Sequence, residues 1–241
     1  MFSWWPVPHG WHSVTPDRQR GAWMVAVSVH WVPVDSRTAT HFSTRVSRLE
    51  RERATRFRHR EDEWRSIVGA GALRAVVAQH LGVPAPQVVI ERTCDWCGGP
   101  HGRPVVSGGN LHVSLSHAGR WVVIAATATG PVGVDVEDLG SAGGLPMPRD
   151  LILGPREQAD DDDALMSLWV AKESYLKAIG TGLTVPLSTV SVSGSRVALL
   201  GRPSARLIRL GDRAGYRAAV CLLGRAAPRV TEIDLAVPQA D

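Results

Sequence analysis

Gly133-Val134-Asp135-Val136-Glu137 constrains the fold of this 241-residue chain more than any other stretch. Its residues alternate strictly, so a strand here turns Val134 and Val136 to one face and Asp135 and Glu137 to the other. The valine face requires a core. The carboxylate face sets two like charges side by side, and they repel unless a cation sits between them. A hard divalent ion such as Mg²⁺ suits oxygen ligands of this kind and takes phosphate oxygens as well. A solvated acidic edge strand fits the same five residues, so the pentapeptide alone leaves both readings open.

The second informative stretch, residues 169–182, reads WVAKESYLKAIGTG. It holds Lys172 and Lys177, the only lysines among 27 Lys and Arg residues. On a helix, Trp169, Glu173 and Lys177 stand at i, i+4 and i+8 and share a face. Leu165, Leu168, Tyr175, Leu176 and Ile179 make most of the remaining surface apolar, so the helix packs on a core with Glu173 and Lys177 at its border. Lys172 points away from Glu173 and is expected to orient or support the site. Gly180 supplies a left-handed cap. The bland alternative is a surface Glu–Lys pair worth about 0.3–0.5 kcal/mol. The acidic run Asp160 to Asp163 is read as solvated, its last member capping the helix near Ala164.

Elsewhere the pattern predicts a strand over 23–31, with Trp23, Val25, Val27, Val29 and Trp31 on one face. Helices follow at 45–58 and 61–81, the second stopped by Gly82 and Pro84. Strands are expected at 87–91, 111–115, 121–128 and 132–137, a loop at 138–148, and helix at 155–159 and 163–179. Five strands close the chain at 187–193, 196–200, 205–210, 215–223 and 229–235. The layout is α+β, with a tail over 1–20, one subdomain over 21–130 and a second over 131–241. The turn Thr129-Gly130-Pro131 marks the boundary.

A net charge of +4 and a pI near 9.4 suit an acidic or phosphorylated partner. There is no basic stripe with interleaved aromatics, so nucleic acid is not the expected partner. No segment nears the roughly 18 apolar residues of a membrane span. The first residues lack a basic leader and an apolar core, which points to the cytoplasm. Three cysteines do not make a disulfide framework. Cys94, Cys97 and His101 offer three zinc ligands without a clear fourth, so a shaped turn is favoured over a metal here.

Together these pieces resemble the 4′-phosphopantetheinyl transferase superfamily, of the longer, surfactin-synthetase-activating type. That family pairs a G-[IV]-D-[IV]-E strand with W-x-x-K-E-x-x-x-K-x-x-G-x-G about thirty residues on. GVDVE and WVAKESYLKAIGTG fill every fixed position. RFRHREDEWRSIVGAGALR (56–74) is similar to the family's first helical region, HGRP (101–104) to its G-K-P turn, and Ser114-Leu115-Ser116-His117 to its Ser-His strand end. Two positions depart from the pattern. Arg103 replaces the turn's lysine, and Ser114 replaces a common asparagine.

The resemblance implies two similar α+β subdomains about a pseudo-twofold axis, with the active site in the cleft between them, in a monomer. It implies transfer of the phosphopantetheine arm of coenzyme A to a serine of an apo acyl or peptidyl carrier protein, with release of 3′,5′-ADP. Asp135, Glu137 and Glu173 match its metal site, for Mg²⁺ or Mn²⁺. Glu173, or a water on the metal, would take the serine proton, and Lys177 would neutralise the departing phosphate. Arg53, Arg103, Ser116 and His117, with Lys177, would hold coenzyme A. Two other readings stay open: a different Mg²⁺-dependent phosphoester or nucleotide hydrolase, and a non-catalytic basic binding module.

Overall fold

The computed structural model describes residues 26–94, 97–108, 110–140, 148–211, 213–225, 227–235 and 237. The tail expected over 1–20, Trp23 and Val25 of the first strand pattern, and most of the expected loop at 138–148 lie outside them. In chain order the first half comprises β1 (Ala26–Pro33), α1 (Ser36–Ser43), α2 (Arg48–Ala54), α3 (Arg60–Leu81), β2 (Ile90–Glu91), β3 (Val105–Val106), β4 (His112–Ala118) and β5 (Trp121–Thr127). Then come β6 (Val132–Asp138), α4 (Arg149–Ile152), α5 (Asp162–Ile179), β7 (Ser191–Ser193), β8 (Arg196–Ala198), β9 (Ala205–Arg209), β10 (Tyr216–Leu223) and β11 (Arg229–Asp234).

The strands form two sheets. One has the order β11-β1-β5-β4-β3-β2, the other β6-β10-β9-β8-β7. All pairings are antiparallel except β1 with β11, which run parallel with Ala26 opposite Arg229 and Trp31 opposite Asp234. The segment after β10 therefore returns to the sheet of the first half.

Strand alternation divides the interior into three cores. Val122, Ile124 and Ala126 of β5 meet Val68, Leu73 and Val76 of α3. Val123 and Ala125 of the same strand turn to the other sheet, where they join Val27, Val29, Trp31, Val134, Val136 and Val220. Ala219 and Cys221 of β10 face Leu165, Trp169 and Leu176 of α5. The result is a helix–sheet–sheet–helix stack in the α+β class. The valine face of β6 lies between the sheets, and its carboxylate face lies under α5.

Several local expectations are revised. The charge-rich stretch 45–58 is not one helix. It holds α2 alone, fixed at its start by a capping box in which Ser47 Oγ accepts from Glu50 N and Glu50 Oε2 from Ser47 N. The polar helix α1, capped by Asp35, precedes it. Residues 155–159 are a turn rather than a helix, because the Glu157 side chain folds inward and accepts from Gly154 N at 2.8 Å and Val192 N at 2.8 Å. The strands expected at 87–91 and 187–193 begin later, after short 3₁₀ turns at Ala85–Gln87 and Leu187–Thr189.

Candidate active site

The helix α5 is anchored at both ends. Asp161, rather than Asp163, is its N-cap and accepts from Ala164 N at 2.7 Å. At the other end Gly180 has φ +79°, and Thr181 N closes back on Leu176 O at 3.1 Å. The helix lies unusually close to β6, because Gly133 has no side chain. A Cβ there would stand 1.9 Å from Ser174 O and 2.5 Å from Ala178 N.

This approach brings the i, i+4, i+8 face of α5 onto the period-two face of β6. Trp169 Nε1 donates to Glu137 Oε1 at 3.0 Å. Lys177 Nζ lies 2.6 Å from Asp135 Oδ1 and 2.9 Å from Ser116 Oγ, and Ser116 Oγ itself donates to Asp135 Oδ1 at 2.9 Å. Glu173 stands between the two contacts, buried. Burial and the Asp135 charge push its carboxyl up to about 7. The same two causes push Glu137 up to about 6.

Asp135 Oδ2 and Glu173 Oε1 are both buried without a hydrogen-bond partner. Unpartnered buried carboxylate oxygens are costly. A hard cation relieves the repulsion and supplies the missing partner, so the donor set fits an oxygen-seeking divalent ion. Lys177 neutralises only part of the cluster.

Lys172 has a separate role. It is fully buried, and its ammonium donates to Ile152 O at 2.6 Å, to Leu187 O at 3.1 Å and to the carboxylate of Glu157. Burial lowers its pKa, and Glu157 counters that. The pair pins α4, the 187–189 turn and β7 to the back of α5. Thus Lys172 supports the helix that Lys177 uses.

A cavity of about 290 Å³ opens in the first half of the chain. Arg53, Arg65, Arg74, Arg92, Pro100 and His117 are among its walls. Arg53 Nη1 donates to Pro100 O at 2.8 Å. Arg74 is paired with Glu50 at 3.1 Å and Arg65 with Asp62 at 2.5 Å. The surrounding protein, and after it the Lys177 ammonium, lower the pKa of the His117 imidazole.

The sequence grouped Arg53, Arg103, Ser116 and His117. Of these, Arg53 and His117 share the cavity wall. Ser116 sits with Asp135 and Lys177 instead. Arg103 Nη1 donates to Ala178 O at 3.2 Å, so it holds the C-terminus of α5. Arg65, Arg74 and Arg92 were not anticipated. The signal was available for Arg65 and Arg74, one on each side of the small-residue run Gly69-Ala70-Gly71-Ala72 of α3.

Two family models match the chain: 4′-phosphopantetheinyl transferase, N-terminal, over residues 29–129, and 4′-phosphopantetheinyl transferase superfamily over residues 131–221. The chain belongs to the 4′-phosphopantetheinyl transferase superfamily.

Similar members of the superfamily include a 4′-phosphopantetheinyl transferase of Bacillus subtilis, 30% identical over 61% of this chain and 66% of that protein. The transferase Sfp of Bacillus subtilis is 27% identical over 66% of this chain and 71% of its own length. A phosphopantetheinyl transferase of Thraustochytrium is 28% identical over 87% and 82%. The match thus spans about two thirds of the length of the Bacillus relatives.

The superfamily's departures in this chain have structural counterparts. Ser114, where an asparagine is common, accepts from Val134 N at 3.0 Å with its Oγ and so stitches β4 to β6 across the junction of the sheets. Among the described residues no helix is long and apolar enough to cross a membrane.

Proposed function

We propose that this superfamily member transfers the 4′-phosphopantetheine arm of coenzyme A to a serine hydroxyl of an apo carrier protein and releases 3′,5′-ADP. The observation that carries the reading is the pair of buried, unpartnered oxygens, Asp135 Oδ2 and Glu173 Oε1; the arginine-lined cavity, whose His117 feels the Lys177 charge, supports it. One feature suits a cation and the other a phosphorylated nucleotide.

Asp135, Glu137 and Glu173 would hold Mg²⁺, or Mn²⁺ in its place. When bound, the ion supplies Lewis acidity and a template for the pyrophosphate oxygens. Trp169 holds Glu137 in place through its indole N–H. Arg53 and His117 bind the nucleotide end of coenzyme A from the cavity wall, and Arg103 fixes the end of α5 that carries Lys177. Burial among carboxylates makes Glu173 basic enough to accept the serine proton near neutral pH. Lys177 offsets the charge that grows on the departing phosphate.

A single chain contributes all of these groups, so it works as a monomer. The reading places it in the cytoplasm. The carriers are those of polyketide, nonribosomal peptide or fatty acid assembly, and the chain's net positive charge suits their acidic surfaces. Incubation with coenzyme A, Mg²⁺ and an apo carrier should raise the carrier's mass by one phosphopantetheine. Hydrolysis of coenzyme A without carrier labelling would overturn the reading.

A further inference from the structure

The sequence favoured a shaped turn at Cys94-x-x-Cys97, yet the ligand atoms of Cys94, Cys97 and His101 lie within 4.8 Å of one another. Cys97 Sγ is 2.9 Å from His101 Nε2. Zinc–sulfur bonds of about 2.3 Å and zinc–nitrogen bonds of about 2.0 Å set tetrahedral ligand edges at roughly 3.5–3.8 Å. The three atoms therefore need only small shifts to bind one ion.

The backbone around them is built for such a grip. The segment before Cys94 pairs with the segment after Gly99, through Cys94 N to Gly99 O at 2.8 Å and Gly102 N to Arg92 O at 2.8 Å. Gly98 N closes the loop on Cys94 O at 2.8 Å, with φ +67° at Gly98. Gly99 N points at Cys97 Sγ at 3.4 Å, as a backbone amide does toward a thiolate that carries charge. A Cβ on Gly99 would stand 3.2 Å from both Cys97 Sγ and His101 Nε2, so the glycine leaves the ligands their space.

We propose that Cys94, Cys97 and His101 bind a zinc ion that clamps the turn from Cys94 to Arg103. Both thiols lose their protons to solvent on binding, and a water fills the fourth position. The ion is distinct from the carboxylate cluster. Its ligands are two thiolates and an imidazole, whereas Asp135, Glu137 and Glu173 offer only oxygen. Its place gives it a purpose: the clamped turn carries Pro100, whose carbonyl receives Arg53, and Arg103, which holds the end of α5. That purpose rests on the reading of the cavity above, but the metal site does not.

The test uses the full chain under reducing conditions, stripped with a chelator and titrated with Zn²⁺ and Co²⁺. One equivalent should bind through sulfur, and Co²⁺ should there give a thiolate charge-transfer band with the intense visible absorption of a tetrahedral site. Cys97→Ser and His101→Ala should each weaken binding roughly 100-fold or more, beyond what loss of an outer-shell contact does. Should those variants fold poorly, alkylation of the wild-type chain decides. Zinc should protect Cys94 and Cys97, while Cys221, fully buried, stays unreactive with or without metal. Absence of the cobalt spectrum, equal alkylation with and without zinc, or unchanged affinity in a folded Cys97→Ser would each overturn the proposal. None of these readouts depends on transferase activity.

Discussion

Lys177 Nζ is 2.6 Å from Asp135 Oδ1, and the contact joins the second motif of the chain to the first across α5 and β6. The ammonium also reaches Ser116 Oγ on β4, so one cation ties three elements together. Replacing it by alanine leaves three carboxylates facing one another. Lys177→Ala should lower kcat by roughly 10²–10⁴-fold. Lys177→Arg keeps the charge, but a planar fork cannot take the place of a compact ammonium between Ser116 and Asp135. It should recover only part of the activity. Steady-state transfer assays check both, and full activity in Lys177→Arg would show that the lysine's chemistry is not required.

Glu173 gives the chain a pH signature. Its folded pKa, about 7, lies above its ordinary value of 4.5. The folded state thus holds this proton more tightly than the unfolded state does. Between those values the unfolded chain ionises first, so metal-free stability falls as pH rises from about 4.5 and levels off above about 7. Glu173→Gln removes the penalty. Without metal the variant should match the wild type at pH 4 and exceed it at pH 8, by about 3 kcal/mol. Mg²⁺ should raise the wild-type Tm at pH 8 far more than that of the variant, and transfer by the variant should be abolished. Thermal melts across pH, with and without Mg²⁺, measure all three.

Gly133→Ala should be severely damaging for a single methyl. The new carbon meets the backbone of α5 rather than a side chain that can turn away. Overpacking against backbone forces the helix off the strand, at a cost of about 3 kcal/mol or more. A drop in Tm and loss of activity together are expected. An unchanged melting curve would show that α5 does not sit this close to β6.

Lys172→Met should destabilise by about 3–5 kcal/mol, since it strands the buried Glu157 carboxylate. Arg48→Ala breaks an exposed pair with Glu52, 2.7 Å long, and should cost under about 1 kcal/mol. Denaturant melts of the two variants distinguish a structural lysine from an ornamental ion pair. The Lys172→Met effect should appear in stability first and in kcat only through the position of α5.

Much of the site was legible because both motifs follow strict periods. A period of two placed Asp135 and Glu137 on one face, and a period of 3.6 placed Trp169, Glu173 and Lys177 on another. The apolar residues on their other faces then fix which way each points. Residues on turns obey no such period. The inward fold of Glu157 depends on Lys172, fifteen positions later, and nothing near residue 157 announces it. Ser116 and Arg103 were read by their place in a motif, whereas their partners, Asp135 and Ala178, are set by how the halves meet. The closeness of Cys94, Cys97 and His101 depends on the pairing of the segments around 92–94 and 99–102, which spacing alone does not specify.

The parallel pairing of β1 with β11 bears on how the chain reaches this structure. The first described strand finds one of its neighbours only after some 200 residues have been made, through contacts such as Trp31 Nε1 to Glu232 Oε2 at 2.8 Å. Until then one edge of the first sheet stays open, and open edges invite pairing with other chains. During synthesis the first half emerges with an unpaired flank, and closing it is a late, slow step of high contact order. A ribosome-bound intermediate that lacks β11 is therefore the species from which aggregation would start.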